Sequence, residues 1–97
     1  MNLIWAPLAI DRVAEITAYI AEDNPVAAKK WIRDVFARTG QLALFPQSGR
    51  HLPETARKDL RELIWGNYRI IYRIRQEVVE ILTLYHGARL FDPRQLK

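Results

Sequence analysis

The side chains best suited to chemistry gather toward the C-terminal end of the chain. Arg69 opens the run Tyr68-Arg69-Ile70-Ile71-Tyr72, and Tyr85, His86 and Arg89 close the next apolar run. Arginine can stabilise negative charge developing on a phosphate, and histidine near its ordinary pKa of about 6.5 can take or give a proton. Arg69, His86 and Arg89 are therefore candidates for phosphodiester chemistry, with Tyr85 and Glu62 as secondary candidates. The competing reading makes Tyr68 and Tyr72 core side chains and Arg69 an exposed strand residue. Other chemistries find less support. His51 and His86 are the only histidines, neither has a second one at i+3 or i+4, and there is no cysteine. No metal site, disulfide or cofactor is expected from that inventory. The four glycines, at 40, 49, 66 and 87, are too scattered for a phosphate-cradling loop. Ser48 is not in the context of a nucleophile elbow.

These residues need a frame, and the hydrophobic pattern supplies one. Residues 2–5 read as a short strand, after which Pro7 suits the first turn of a helix. Ala9, Val13, Ile16 and Ile20 recur at helical spacing over residues 8–21. Asp23-Asn24-Pro25 stops that helix and starts another, with Asn24 as cap and Pro25 in the first position. Ala28, Ile32, Val35, Thr39, Leu42 and Phe45 mark its apolar stripe. Pro46, Gly49 and Pro53 break the period. Three strands follow, over 60–65, 68–75 and 78–85, joined by tight reversals at Gly66-Asn67 and Gln76-Glu77. Within 68–75 the alternation sends Tyr68, Ile70, Tyr72 and Ile74 one way and Arg69, Ile71, Arg73 and Arg75 the other. With a two-residue turn at 76–77, residue 75 pairs with 78, so 68 lies opposite 85 and 69 opposite 84. That register brings Tyr68, Arg69, Tyr85 and His86 together at one end of the sheet.

The expected fold is a two-layer α+β domain spanning residues 1–97. An N-terminal strand and a two-helix hairpin pack on an antiparallel sheet that ends in a three-strand meander. With 97 residues and 49% hydrophobic content, one core is expected and a second is not. The net charge is +4, and residues 51–97 carry nine Lys/Arg against six Asp/Glu. A positive field of this kind favours encounter with nucleic acid or an acidic protein. The N-terminus lacks a signal-peptide pattern, and no apolar stretch approaches the roughly 18 residues needed to span a bilayer. A cytoplasmic location without membrane contact is therefore expected.

Six segments, in order and over nearly the whole chain, resemble the RelE/ParE toxins of type II toxin–antitoxin systems. They are Trp5-Ala6-Pro7-Leu8-Ala9-Ile10-Asp11-Arg12-Val13, Asn24-Pro25-Val26-Ala27-Ala28, Pro46-Gln47-Ser48-Gly49-Arg50, Leu60-Arg61-Glu62-Leu63, Tyr68-Arg69-Ile70-Ile71-Tyr72 and His86-Gly87-Ala88-Arg89. The resemblance implies a growth-inhibiting toxin neutralised by a cognate antitoxin. It leaves two activities open, because ParE-like members inhibit DNA gyrase and are not nucleases, whereas RelE-like members cut mRNA on the ribosome. The long helical hairpin and the Pro-x-x-Gly-Arg loop with its His-Gly-Ala-Arg ending are similar to ParE and plasmid-stabilisation toxins. The strand Leu60-Arg61-Glu62-Leu63 also lacks the lysine pair of RelE nucleases. On the nuclease side, Arg69 and Arg89 stand at about the positions of catalytic arginines. Other nuclease branches use a Glu, an Arg and a C-terminal His, for which Glu62 or Glu54, Arg69 and His86 would serve. A third reading is a toxin-like module that only binds its antitoxin. For partner contact, Arg61, Arg73 and Trp31 are the candidates, Trp31 as an exposed anchor on the helical hairpin or else a core residue.

Overall fold

A computed structural model describes residues 1–87 of the chain. Strand β1 (Asn2–Trp5) leads into α1 (Pro7–Asp23) and α2 (Pro25–Gly40), which a short 3-10 turn (Gln41–Ala43) extends. Strands β2 (Arg50–His51), β3 (Leu60–Trp65), β4 (Tyr68–Arg75) and β5 (Val78–His86) complete a five-stranded sheet in the order β1-β5-β4-β3-β2. The expected meander is β3-β4-β5. β1 adds to it as a parallel partner of β5, so the sheet is mixed.

Local chemistry explains the joints. Pro7 and Pro25 each sit in the first turn of a helix, where a missing N–H leaves nothing unpaired. Asn24 ends one helix and begins the next. Its backbone N–H donates to the Ile20 carbonyl at 2.9 Å, and its side chain accepts from the Ala27 N–H at 3.0 Å. The β3–β4 turn places Gly66 at φ +57, and the β4–β5 turn places Gln76 and Glu77 at φ 52 and 63. Positive φ at these central positions gives the primed turns whose twist matches paired strands.

The sheet has two unlike faces. On the helix side, Ile70, Tyr72, Val79, Ile81 and Leu84 pack with Ala9, Trp31, Val35 and Leu42, flanked by Val13, Ile16 and Ile20 of the α1 stripe. On the outer side, Leu52, Leu60, Ile71, Leu82 and Tyr85 form a smaller apolar cluster. The α2 stripe ends at Leu42, since Phe45 is 65% exposed beyond the 3-10 turn.

One expectation is corrected here, and one open alternative, the placement of Trp31, falls to its core reading. Arg75 pairs with Val78 and Tyr72 with Ile81 as the hairpin requires, but Ile71 pairs with Thr83, leaving Leu82 as an extra residue. This β-bulge moves the rest of the register by one. Tyr68 therefore faces His86, and Arg69 faces Tyr85. Because side chains alternate with period two, one inserted residue also reverses which face the end of β5 presents. Trp31 is not an exposed anchor. It is 7% exposed and stacks on Trp65 with ring centroids 5.9 Å apart, because its position on α2 faces the sheet.

Candidate functional site

Arg69 stands at the centre of a charged cluster on the outer face of the sheet. β4 presents it beside Glu62 of β3, and the loop after β2 brings Glu54 over it. Its Nη1 and Nη2 each donate to a Glu54 carboxylate oxygen at 2.9 Å, a two-pronged grip. Its Nε donates to Glu62 Oε2 at 2.7 Å, and Nη2 also reaches that oxygen. Arg50 Nε donates to the other Glu62 oxygen at 2.6 Å. Two guanidiniums and two carboxylates thus offset each other's charge. Glu62, with 0% side-chain exposure, tolerates burial because arginines meet it from two sides. Hydrogen bonding to Glu54 holds the Arg69 pKa above the ordinary arginine value, against the opposing effect of burial. A phosphate approaching Arg69 would have to compete with carboxylates already bound.

His86 lies elsewhere. The bulge turns Tyr85 outward beside Arg69 and His86 to the helix side, where its ring sits 5.0 Å from that of Tyr68. There His86 lines a mainly apolar cavity of about 310 Å³ with Glu15, Ile16, Tyr19, Ile20 and Tyr68. Burial, then the nearby Tyr19, pushes the Tyr68 phenol above its ordinary pKa. Of the residues expected to meet at the sheet end, the structure joins Arg69 with Tyr85 and Glu62, and Tyr68 with His86, on opposite faces. Arg89 lies outside the described residues.

The two remaining partner candidates have internal roles. Arg61 Nη1 donates to the Gly49 carbonyl at 2.6 Å and to the Gln47 carbonyl at 3.3 Å. Arg73 pairs with Glu80 across β4–β5. Arg61 shares its task with Tyr72, whose buried hydroxyl donates to the Pro46 carbonyl at 2.7 Å and accepts from the Gly49 N–H at 3.0 Å. A Cβ on Gly49 would fall 2.5 Å from the Glu62 carbonyl oxygen and 2.6 Å from the Tyr72 hydroxyl. The Pro-x-x-Gly-Arg loop is thereby latched to the sheet, and its last residue, Arg50, is delivered to Glu62. Arg50 and the Tyr72 latch escaped the sequence reading. The available signal was Gly next to Arg in a loop whose neighbouring strands carry a tyrosine and a glutamate.

Among the described residues no group of three or more His, Asp or Glu is placed to hold a metal ion, and no helix is long and apolar enough to cross a membrane.

Residues 3–91 match the family model described as the ParE toxin of the parDE type II toxin–antitoxin system. The chain is 40% identical over 85 residues to Y4kP of Sinorhizobium fredii, a protein named as a toxin, covering 86% of this chain and 84% of that one. It is 30% identical over 90 residues to toxin RelE2 of Caulobacter vibrioides, covering 92% and 98% of the two chains. Its fold is similar to that of a chain in the chromosomal ParDE toxin–antitoxin system from P. aeruginosa, with TM-score 0.78, 19% identity and coverage of 91% and 97%. A chain of the RelBE2 toxin–antitoxin complex from Mycobacterium tuberculosis is also similar, with TM-score 0.57, 20% identity and coverage of 91% and 92%. At these identities the two structures bear on the fold alone.

Proposed function

The chain belongs to the RelE/ParE superfamily of type II toxins, and from that premise we propose that it arrests growth by binding DNA gyrase rather than by cutting RNA. A cognate antitoxin neutralises it, and the gyrase target puts its action in the cytoplasm. One observation carries the choice. Arg69, the arginine best placed for a nuclease, is held by Glu54 and Glu62, while His86 stands on the opposite face of the sheet. General acid–base catalysis needs donor and acceptor within hydrogen-bond reach of one reacting phosphate. A sheet separating the two groups favours a protein that works by its surface. The same tetrad then reads as a brace for the loop and β2, and Arg61 and Tyr72 belong to that brace.

The second reading is ribosome-dependent mRNA cleavage. The 30% identity to RelE2 favours it, as does an open groove of about 350 Å³ on the outer face with Arg50 and Arg69 in its wall. One preparation of purified toxin tests both readings. Inhibition of gyrase supercoiling or trapping of cleaved DNA is expected, with mRNA on programmed ribosomes left intact. Codon-position cuts with unimpaired supercoiling would favour the second reading, and loss of both activities would favour a module that only binds its antitoxin.

A further inference from the structure

The helical hairpin carries its charge in two separate stripes. Helix α1 holds Asp11, Glu15, Glu22 and Asp23 against Arg12, a net −3, and α2 holds Lys29, Lys30, Arg33 and Arg38 against Asp34, a net +3. Asp11, Glu15 and Glu22 stand at i, i+4 and i+11, so they share the face of α1 turned away from Ala9, Val13 and Ile16. Lys29 and Arg33, four residues apart, share the exposed face of α2 turned away from Trp31 and Val35. Within the chain Glu15 meets Arg12 and Lys30 meets Asp34, while Asp11, Glu22, Lys29 and Arg33 have no ion-pair partner among the described residues. Helix stability does not account for the acidic stripe. Glu22 and Asp23 occupy the last turn of α1, where the helix dipole favours cations. Large apolar side chains also stand exposed beside these charges, Tyr19 at 72% and Val26 at 77%.

We propose that the outward face of the hairpin pairs with the same face of a second copy, giving a weak two-fold dimer of the free chain. The inference goes beyond the choice of target and does not depend on it. A two-fold axis running along the hairpin, in the plane of contact, lays α1 on the partner's α2 with the two Asn24 joints at the same end. Glu22 then approaches the partner's Lys29 and Glu15 the partner's Arg33, and symmetry repeats both contacts. An axis running across the hairpin would lay α1 on α1 and α2 on α2, setting like charges opposite each other. Charge thus selects one of the two face-to-face arrangements. The two stripes cancel, so the chain's net +4 resides outside the two helices and opposes the contact only at long range. A face about 25 Å long, from 17 residues at about 1.5 Å each, and about 20 Å wide covers about 500 Å² per copy. The total of about 1,000 Å² lies at the lower bound for a specific contact, so micromolar or weaker association is expected. The outer face of each sheet points away from the contact, and the dimer leaves it open.

Sedimentation equilibrium of the full purified chain, at low and high salt, reads the association. The mass should climb from the 11.4 kDa of one chain toward twice that with concentration, and the dissociation constant should rise several-fold with salt. Glu15→Lys with Glu22→Lys makes both stripes basic, and Lys29→Glu with Arg33→Glu makes both acidic. All four side chains are exposed, so thermal melts should stay near wild type. Each double variant is expected to associate about tenfold or more weakly, and the four changes together, which exchange the stripes, should restore association to within about threefold. Mixing the basic and acidic variants should also yield a mixed dimer, a readout that does not need the fourfold variant to fold. A mass fixed at 11.4 kDa up to about 1 mM overturns the proposal. Self-association that neither double variant weakens overturns this face as the contact. Loss in both double variants, with no recovery in the fourfold variant or the mixture, overturns the charge-paired arrangement. A monomeric wild type whose binding to duplex DNA or to the antitoxin is abolished by Lys29→Glu with Arg33→Glu assigns the face to that partner, and the proposal fails.

Discussion

Substituting Arg69 by alanine should damage the fold before it damages any activity. The change leaves Glu62, with 0% side-chain exposure, facing only Arg50, whose own side chain is 65% exposed. It also takes from Glu54 its two-pronged partner. Breaking a buried pair by removing one member costs about 3–5 kcal/mol, and because Arg50 still meets one Glu62 oxygen the lower end of that range applies. A domain of this size has a total stability of about 5–15 kcal/mol, and each kcal/mol moves Tm by roughly 4–8 °C. Arg69→Ala should therefore lower Tm by at least about 12 °C. Arg69→Met combined with Glu62→Leu fills similar volume without charge and should recover much of the loss. Thermal and denaturant melts of the wild type, the single variant and the double variant make the measurement. If Arg69→Ala melts within about 2 °C of wild type, the brace reading of the tetrad is wrong.

Other expectations follow from the same geometry. Gly49→Ala drives a Cβ into the Glu62 carbonyl oxygen at 2.5 Å and should destabilise by about 1–3 kcal/mol in denaturant melts. Gly40→Ala, with nothing within 4 Å of the added carbon and ordinary helical φ, should stabilise by up to about 1 kcal/mol. Burial holds the Tyr68 and Tyr72 phenols above their ordinary pKa. A phenol raised in the folded state favours folding fully below its unfolded pKa of about 10, and that contribution is lost as pH rises through the folded value. Absorbance titration near 295 nm should show the Tyr68 and Tyr72 phenols ionising late, together with alkaline unfolding. Ionisation of Tyr68 and Tyr72 near pH 10 in a folded protein would contradict this.

The outline of the fold was legible because short-range signals carried it. Asn24-Pro25 marked the helix joint, Gly66-Asn67 and Gln76-Glu77 marked the reversals, and the alternation of 68–75 sorted Tyr68, Ile70 and Tyr72 from Arg69, Ile71 and Arg73 onto the correct faces. The site was less legible because it depends on one long-range register. Leu82 sits in an unbroken β-branched and apolar run, and no glycine or proline there announces a bulge. That single insertion exchanges the faces of Tyr85 and His86 and so separates His86 from Arg69. The role of Arg50 was hidden for a related reason. It reaches Glu62 only because Tyr72 and Arg61, 26 and 14 residues from Pro46 and Gln47, pull the loop onto the sheet. Parallel pairing of β1 with β5 was equally invisible locally, since partners in a parallel pair come from distant parts of the chain.

A supercoiling assay tests whether this toxin acts on gyrase as proposed. Relaxed plasmid, purified gyrase and ATP are titrated with the toxin, with its antitoxin added back in a parallel series. A dose-dependent loss of supercoiled product that the antitoxin restores is expected. Full supercoiling at toxin concentrations well above that of gyrase would contradict it, most plainly if the same preparation cut mRNA on ribosomes.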